Sequence, residues 1–360
     1  MGVLNIESLE LIEVKNVPSS IVARKYFNSK LDVQQLETPL FDKIMDTQFA
    51  EEEGVIEMLL MSTGRLFFKV GEKDNWQFMP YLIGTSQTGK STLLNIVKKM
   101  FNNIGVINQN FEEKLGLSGL YSKEVVICDD LPEDMRQVFP QETFQTCISG
   151  GTVSIAMKNV TAKEIQWVTP FIFAGNRHFN YKDTTNQISR RIIIFEFINV
   201  VRKGDPTIEK RIIQDELPAV IYKCLMTYKT FLEKYGCQLL EEFLPPYFKQ
   251  TFDDMKRANN PLYRFLCDMK ESGRLKYEAN AITNVSSIKG TFESQFNLRT
   301  GNKRLDIGTI LQMNSRFENG INQISVEVVC KFQGKVAVIN MTPAIEQEGH
   351  GASRICLFPE

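Results

Sequence analysis

The sequence predicts an α/β nucleotide-binding core, with a helical segment before it and a helical, then α+β, segment after it. Three observations predict this. Residues Gly84 to Ser91 read Gly-Thr-Ser-Gln-Thr-Gly-Lys-Ser, a complete G-x-x-x-x-G-K-[ST] pattern. Four short runs, Tyr81–Ile83, Val125–Cys128, Phe171–Ala174 and Ile192–Phe195, are apolar on both faces, as parallel strands covered by helices must be. Helix patterns alternate with those runs. The chain has 360 residues, 43% of them apolar, which is enough for two or three domains and a sizeable core.

Residues 1–75 carry eight Lys/Arg against thirteen Asp/Glu. Within Leu36–Met45, Thr38 as N-cap and Pro39 at N1 start a helix with apolar residues at helical spacing, and a second is expected over Glu52–Met61. This reads as a small helical domain, with Glu51-Glu52-Glu53 as a solvated helix start.

The core spans residues 76–200. The run Phe78–Ile83 is a buried strand, the pattern Gly84–Ser91 a turn, and Thr92–Met100 a helix. Such a turn aims successive backbone N–H groups at one point, where the helix N-terminus adds positive potential. Gly84, Thr85, Ser86, Gln87, Thr88, Gly89, Lys90, Ser91 and Thr92 are therefore the candidate phosphate contacts. Lys90 is expected to reach the β- and γ-phosphates of ATP, and the Ser91 hydroxyl to hold Mg2+.

The second strong strand, Val125–Cys128, ends in Asp129-Asp130. Hydrolysis needs one acid near the metal and one to polarise the attacking water, roles expected of Asp129 and Asp130 respectively. The run Phe171–Gly175 ends in Asn176, which fits either a group between the two acids or a turn residue. Arg190 and Arg191 stand just before Ile192–Phe197. In ring ATPases that place faces the neighbour's nucleotide, where an arginine acts in trans; a structural ion pair is the other reading.

Residues 201–261 look helical, clearest over Ile208–Ile213 and Pro218–Tyr235, with Pro245-Pro246 as a break. From 262 to 340 the balance turns basic, eleven Lys/Arg against seven Asp/Glu. Ile282–Phe296 and Leu305–Phe317 read as helices around a basic turn, Arg299–Arg304. A hairpin then pairs Ile324–Cys330 with Val336–Asn340 across Gln333-Gly334-Lys335. Helix, basic turn, helix, hairpin is the order of a winged-helix DNA-binding domain; a structural cap fits the same order.

Bulk properties set limits. The formal net charge is −1, so any nucleic-acid site must be a local patch. No run is long enough to span a membrane, and no signal peptide is legible. Seven dispersed cysteines without a C-x-x-C pair, and only two histidines, argue against zinc and for a reducing intracellular compartment.

Taken in order, these signatures resemble superfamily 3 helicases, the AAA+ ring helicases of DNA viruses and some phages. The link Ile148–Asn159 is the most telling part. In that family the stretch between Walker B and sensor 1 carries a β-hairpin that enters the ring channel. A Lys near its tip contacts DNA phosphate. Lys158 matches that Lys, and Asn159 stands where papillomavirus-type helicases have His. Thr38–Asp42, Asp74–Gln77, Asn110–Lys114 and Ser189–Arg191 look like the helicase half of the poxvirus-type primase–helicases. The resemblance covers roughly residues 20–265. It implies an ATP-dependent DNA helicase of viral-type replication, working in the host cytoplasm or nucleus. It further implies a ring, a hexamer by that likeness, moving on single-stranded DNA through Lys158 and Asn159. It also implies a primase, fused in a longer chain or acting in trans. A packaging or protein-remodelling motor of the same core is the rival reading.

Overall fold

The structure is a computed structural model. It describes residues 2–20, 36–107, 113–135, 140–157, 160–179, 181 and 188–259, short pieces between 23 and 34, residues 267, 268 and 271, and six strands beyond 274. The chain divides into two compact units, one of residues 1–181 and 190–252, the other of 182–189 and 253–360.

The first unit is a mixed α/β layer structure. Its elements in order are β1 (Gly2–Leu4), β2 (Leu11–Glu13), α1 (Pro39–Phe49), α2 (Val55–Arg65), β3 (Met79–Gly84), α3 (Lys90–Met100), β4 (Ile104–Val106), α4 (Glu113–Leu120), β5 (Val125–Cys128), α5 (Gln141–Ile148), β6 (Thr152–Met157), β7 (Val160–Gln166), β8 (Phe171–Gly175) and β9 (Ile192–Phe197). After β9 come α6 (Ile208–Arg211), a π turn (Ile212–Glu216), α7 (Leu217–Tyr235), α8 (Leu240–Phe243) and α9 (Pro246–Asn259), whose last residues belong to the second unit.

Five strands form one parallel sheet in the order β4-β5-β8-β3-β9. The four apolar runs are β3, β5, β8 and the edge strand β9, and nearly all their residues are buried. Tyr81 of β3 sits opposite Phe173 of β8 and Ile194 of β9. Between β5 and β8 the chain makes the antiparallel hairpin β6–β7, from Thr152↔Gln166 to Met157↔Val160. Val153 and Ile155 of β6 are buried while Thr152 and Ser154 are exposed, the alternation of a strand with one covered face.

The helices at 39–65 and 208–252 share one hydrophobic core with the sheet. Phe41, Met45, Phe49 and Met58 join Leu82, Val97, Ile193 and Val220 in it. Two sequence expectations shift here. Thr38 occupies the N-cap position of α1, but its hydroxyl donates to the Asp42 carboxylate and makes no cap bond. The buried Glu216 carboxylate takes that role, accepting from Leu40 N and Phe41 N at 2.9 Å each. A charged acceptor at the positive helix end outcompetes a hydroxyl. The second helix starts at Val55 rather than Glu52, because Gly54 at φ 76° ends a separate turn.

Asp74-Asn75-Trp76-Gln77 finds its explanation in packing. The Asp74 carboxylate holds the Arg65 guanidinium in a bidentate pair, at 2.8 and 3.0 Å. It also accepts from Trp76 N at 2.9 Å and from the Tyr228 hydroxyl. Arg65 donates onward to Phe78 O and Trp76 O and lies 4.7 Å over the Phe78 ring. Burial, with the carboxylate beside it, pushes the Tyr228 phenol up in pKa. This network joins α2, the approach to β3, and α7. Gly64 lets α2 and α7 meet so closely that a Cβ there would lie 2.2 Å from Cys224 O.

The second unit holds the antiparallel sheet β10-β15-β14-β13, made of β10 (Leu275–Ala279), β13 (Val326–Phe332), β14 (Lys335–Asn340) and β15 (Ser353–Leu357). The expected hairpin is β13–β14, from Val326↔Asn340 to Phe332↔Lys335. The basic turn contains a small ribbon of β11 (Arg299–Thr300) and β12 (Lys303–Arg304). The two helices expected around it, Ile282–Phe296 and Leu305–Phe317, lie outside the described residues.

Replacing Asp74 with Ala strands a buried guanidinium. Urea denaturation should show a loss of about 3–5 kcal/mol. Asp74→Asn, which keeps an acceptor, should cost less. Equal stability of all three proteins would mean that the network does not hold α2 to α7.

Candidate functional site

β3 is central, so the loop after it opens between β8 and β9 at the carboxyl edge of the sheet, where open α/β folds place ligands. Gly84 closes the strand. A Cβ there would lie 2.4 Å from Phe197 O on β9, so no other residue brings the backbone this close. Gln87 at φ 65° and Gly89 at φ 88° then turn the chain into α3. Left-handed turns of this kind leave N–H groups converging on an anion-sized concavity. Thr85, Ser86 and Gln87 are exposed, Thr88 is buried, and Ser91 and Thr92 stand in the first turn of α3, exposed and half-buried.

The loop is braced from outside. Gln48, near the end of α1 and buried, donates from Nε2 to Thr88 O at 3.0 Å and to Asn199 O at 2.7 Å. Its Oε1 accepts from Asn199 N at 3.0 Å. Val201 N donates to Gln87 O at 2.8 Å, and the Thr88 hydroxyl to Thr85 O at 2.9 Å.

Lys90 is buried and its ammonium has three acceptors: Gly84 O at 2.9 Å, Gly175 O, and Asn176 Oδ1 at 2.9 Å. Burial lowers its pKa, against the opposing pull of Asp130. Asn176 Nδ2 in turn donates to Asp130 Oδ1 at 3.1 Å. Lys90, Asn176 and Asp130 thus form one chain across the ends of β3, β8 and β5. Tyr81 of β3 fixes the turn beyond Asn176, donating its hydroxyl to Arg177 O at 2.7 Å. Gly175 makes room for it; a Cβ there would lie 2.2 Å from the Tyr81 hydroxyl. Cys128, just before the acids, is buried, which pushes its thiol up to about 12.

The two acids diverge. Asp130 joins the loop, whereas Asp129 pairs with Lys98 of the last turn of α3 at 2.6 Å, both groups partly exposed. Arg190 and Arg191 are not brought to the loop. The register Met79↔Ile192 places them at the amino edge of the sheet. Arg191 Nε donates to Ser149 Oγ at 2.9 Å, and Arg190 is exposed. Lys158, Asn159 and most of Asn110–Lys114 lie outside the described residues; β6 and β7 flank the first two.

Sequence reasoning did not find Gln48, Tyr81, Lys98 or Asn199. A tyrosine inside an otherwise aliphatic strand was a usable signal for Tyr81. Nothing local marks the others, whose long-range partners lie 31 to 152 positions away.

Residues 82–191, under a third of the chain, match a family of unknown function, DUF5906. That stretch runs from β3 through the loop, both acids and Asn176 to Arg191. No curated protein matches. Among solved structures, the A form apo structure of the NrS-1 C-terminal region is similar at 16% identity and a TM-score of 0.45, covering 66% of this chain and 58% of that one. A second A form apo structure, of residues 305–718, gives 15% identity, a TM-score of 0.39 and coverage of 84% and 75%. An apo structure of the same region gives 14%, 0.40, 84% and 76%. This chain therefore matches under two thirds of the first of these neighbours. Among the described residues no helix is long and apolar enough to cross a membrane.

Gln48→Leu keeps the volume but leaves the buried Thr88 carbonyl without this partner. Chemical denaturation should show about 1–3 kcal/mol lost for that group. A Gln48→Leu protein as stable as wild type would mean the loop does not depend on this amide.

Proposed function

We propose that the chain is an ATP-dependent DNA helicase of the superfamily 3 type, a ring-forming AAA+ translocase on single-stranded DNA in viral-type replication. The observation that carries this reading is the chain Lys90–Asn176–Asp130 at the mouth of a glycine-tight loop. A cation, an amide and an acid meet where a triphosphate would end. The strand order supports it, since β8 lies between the loop strand and the acid-bearing strand and brings Asn176 between them.

The residues fit ATP with magnesium. Gly84–Thr92 would bind the phosphates through backbone N–H groups and Lys90. Ser91 and Asp129 would hold Mg2+, with Asp129 released from Lys98, and the metal supplies neutralisation of phosphate charge. Asp130 would orient the attacking water, with Asn176 beside it. The amino-edge position of Arg190 and Arg191, remote from their own loop, suits a finger that serves a neighbouring subunit. A heterologous ring, by the family likeness a hexamer, gives every loop such a neighbour. The β6–β7 hairpin would carry Lys158 and Asn159 to the channel, where contact with phosphate is blind to sequence.

On this reading, 1–75 is a helical N-terminal piece, 76–200 the ATPase core, 201–261 its helical extension and 262–360 a winged-helix-like DNA-binding tail. The β13–β14 hairpin would be the wing. A primase, fused or in trans, completes the replication role.

The purified chain should displace a strand from a forked duplex in the presence of ATP. Lys90→Ala should abolish hydrolysis and displacement with the fold intact, and Asp130→Asn should retain ATP with little turnover. ATP hydrolysis without displacement under any condition would point to a packaging or remodelling motor instead. A Lys90→Ala protein hydrolysing at the normal rate would overturn the site altogether.

Arg191→Ala subunits should bind ATP without hydrolysing it. Mixing them with Lys90→Ala subunits should restore activity at interfaces that join two intact halves. No recovery at any ratio, in a colorimetric phosphate assay, would exclude Arg191 as a finger in trans and leave Arg190 to be tested.

A further inference from the structure

Tyr81 is the polar side chain in an otherwise apolar β3, and the proposed phosphate contacts do not use it. It is fully buried, three residues before Gly84 on the strand that leads into the glycine loop. Its hydroxyl donates to Arg177 O at 2.7 Å, and its ring meets Phe179 edge-on with centroids 5.3 Å apart. Arg177 and Phe179 are the first and third residues after Asn176. That stretch needs a hold, because the pairing of β8 with β3 ends at Gly175↔Ile83 and both Asn176 and Arg177 are exposed. One side chain on the loop strand therefore grips the turn that carries Asn176.

The Asn176 amide works in one orientation. Its Oδ1 accepts from the Lys90 ammonium and its Nδ2 donates to Asp130 Oδ1. Turned over, it would set N–H groups against a cation and an oxygen against a carboxylate. Both partners are kept only while the backbone at 176 stays over the end of β8. Burial pushes the Tyr81 phenol up in pKa, so it remains a protonated donor. Gly175 completes the arrangement, since a Cβ there would lie 2.2 Å from the Tyr81 hydroxyl but 3.1 Å from its ring carbon Cζ. The collision is with the hydroxyl itself. We propose that Tyr81 is a positioning residue for ATP hydrolysis, acting through Arg177 O to hold Asn176 between Lys90 and Asp130. This rests on the nucleotide-site reading and adds to it a residue that serves the hydrolytic step rather than binding. The loop N–H groups and Lys90 grip the phosphates without it, so its loss falls on kcat and leaves KM unchanged.

Three variants of the full chain separate positioning from packing: Tyr81→Phe, Gly175→Ala and the two combined. Each is followed by steady-state ATP hydrolysis with magnesium and by urea denaturation. Tyr81→Phe should hydrolyse about tenfold more slowly at an unchanged KM, the scale of one lost hydrogen bond and a slightly misplaced group. Gly175→Ala should lose both stability and kcat, because the added methyl meets the hydroxyl. The double variant lacks that oxygen, so it should regain stability over Gly175→Ala while its kcat stays low. A purely structural hydroxyl would not divide the two readouts in this way. A Tyr81→Phe protein with the wild-type kcat overturns the positioning role and leaves the nucleotide site standing. So does a raised KM at unchanged kcat, or a double variant that recovers kcat along with stability. A wild-type chain that does not hydrolyse ATP overturns the nucleotide-site reading and this inference together.

Discussion

Backbone pairing of β3 with β8 on one side and β9 on the other is the constraint on which the rest depends. All five strands run parallel, so their carboxyl ends share one edge. The glycine loop, Asn176 and the Asp129-Asp130 pair meet there because each follows a strand of that sheet. The same constraint puts Arg190 and Arg191 at the other edge. No side-chain rearrangement could bring them to their own loop without unzipping β9. The sheet thus separates two charged groups along one strand direction.

Around this edge, polar groups from distant segments do the holding. Glu216 in the π turn caps α1, and Gln48 at the other end of α1 braces the loop. Pro218 cannot donate to the helical ladder, and the wider turn falls just before it, presenting the Glu216 carboxylate to α1. One helix therefore couples a backbone irregularity near residue 216 to the glycine loop. The Arg65–Asp74–Tyr228 network anchors the layer behind.

What was legible in the sequence follows from range. The central strands could be read because both faces are buried, so every residue in the run is apolar. The glycine loop could be read because close packing on β9 demands glycine at Gly84 and a positive φ favours it at Gly89. The pairing of Asn176 with Lys90 and Asp130 follows from both the motif order and the sheet. Thr38 stands at the N-cap of α1 as expected, but the capping bonds come from Glu216, 176 positions from Leu40 N, and no local rule reaches that far. Gln48 was invisible for the same reason: an amide at the polar end of an amphipathic helix looks like ordinary surface. The pairing of Asp129 with Lys98 depends on how far along α3 the strand end falls, which only the packed sheet decides.

The resting position of Lys90 has a thermodynamic meaning. Its ammonium already has three oxygen partners, so on the proposed reading an arriving phosphate meets a satisfied cation rather than a waiting one. Binding must exchange at least part of that set, and the free energy observed is a difference between two well-solvated arrangements. Because Asn176 is one of the partners, filling the loop and reorienting Asn176 are thermodynamically linked. By reciprocity, any event at the ends of β8 or β5 that draws Asn176 away must alter the grip of the loop to the same degree.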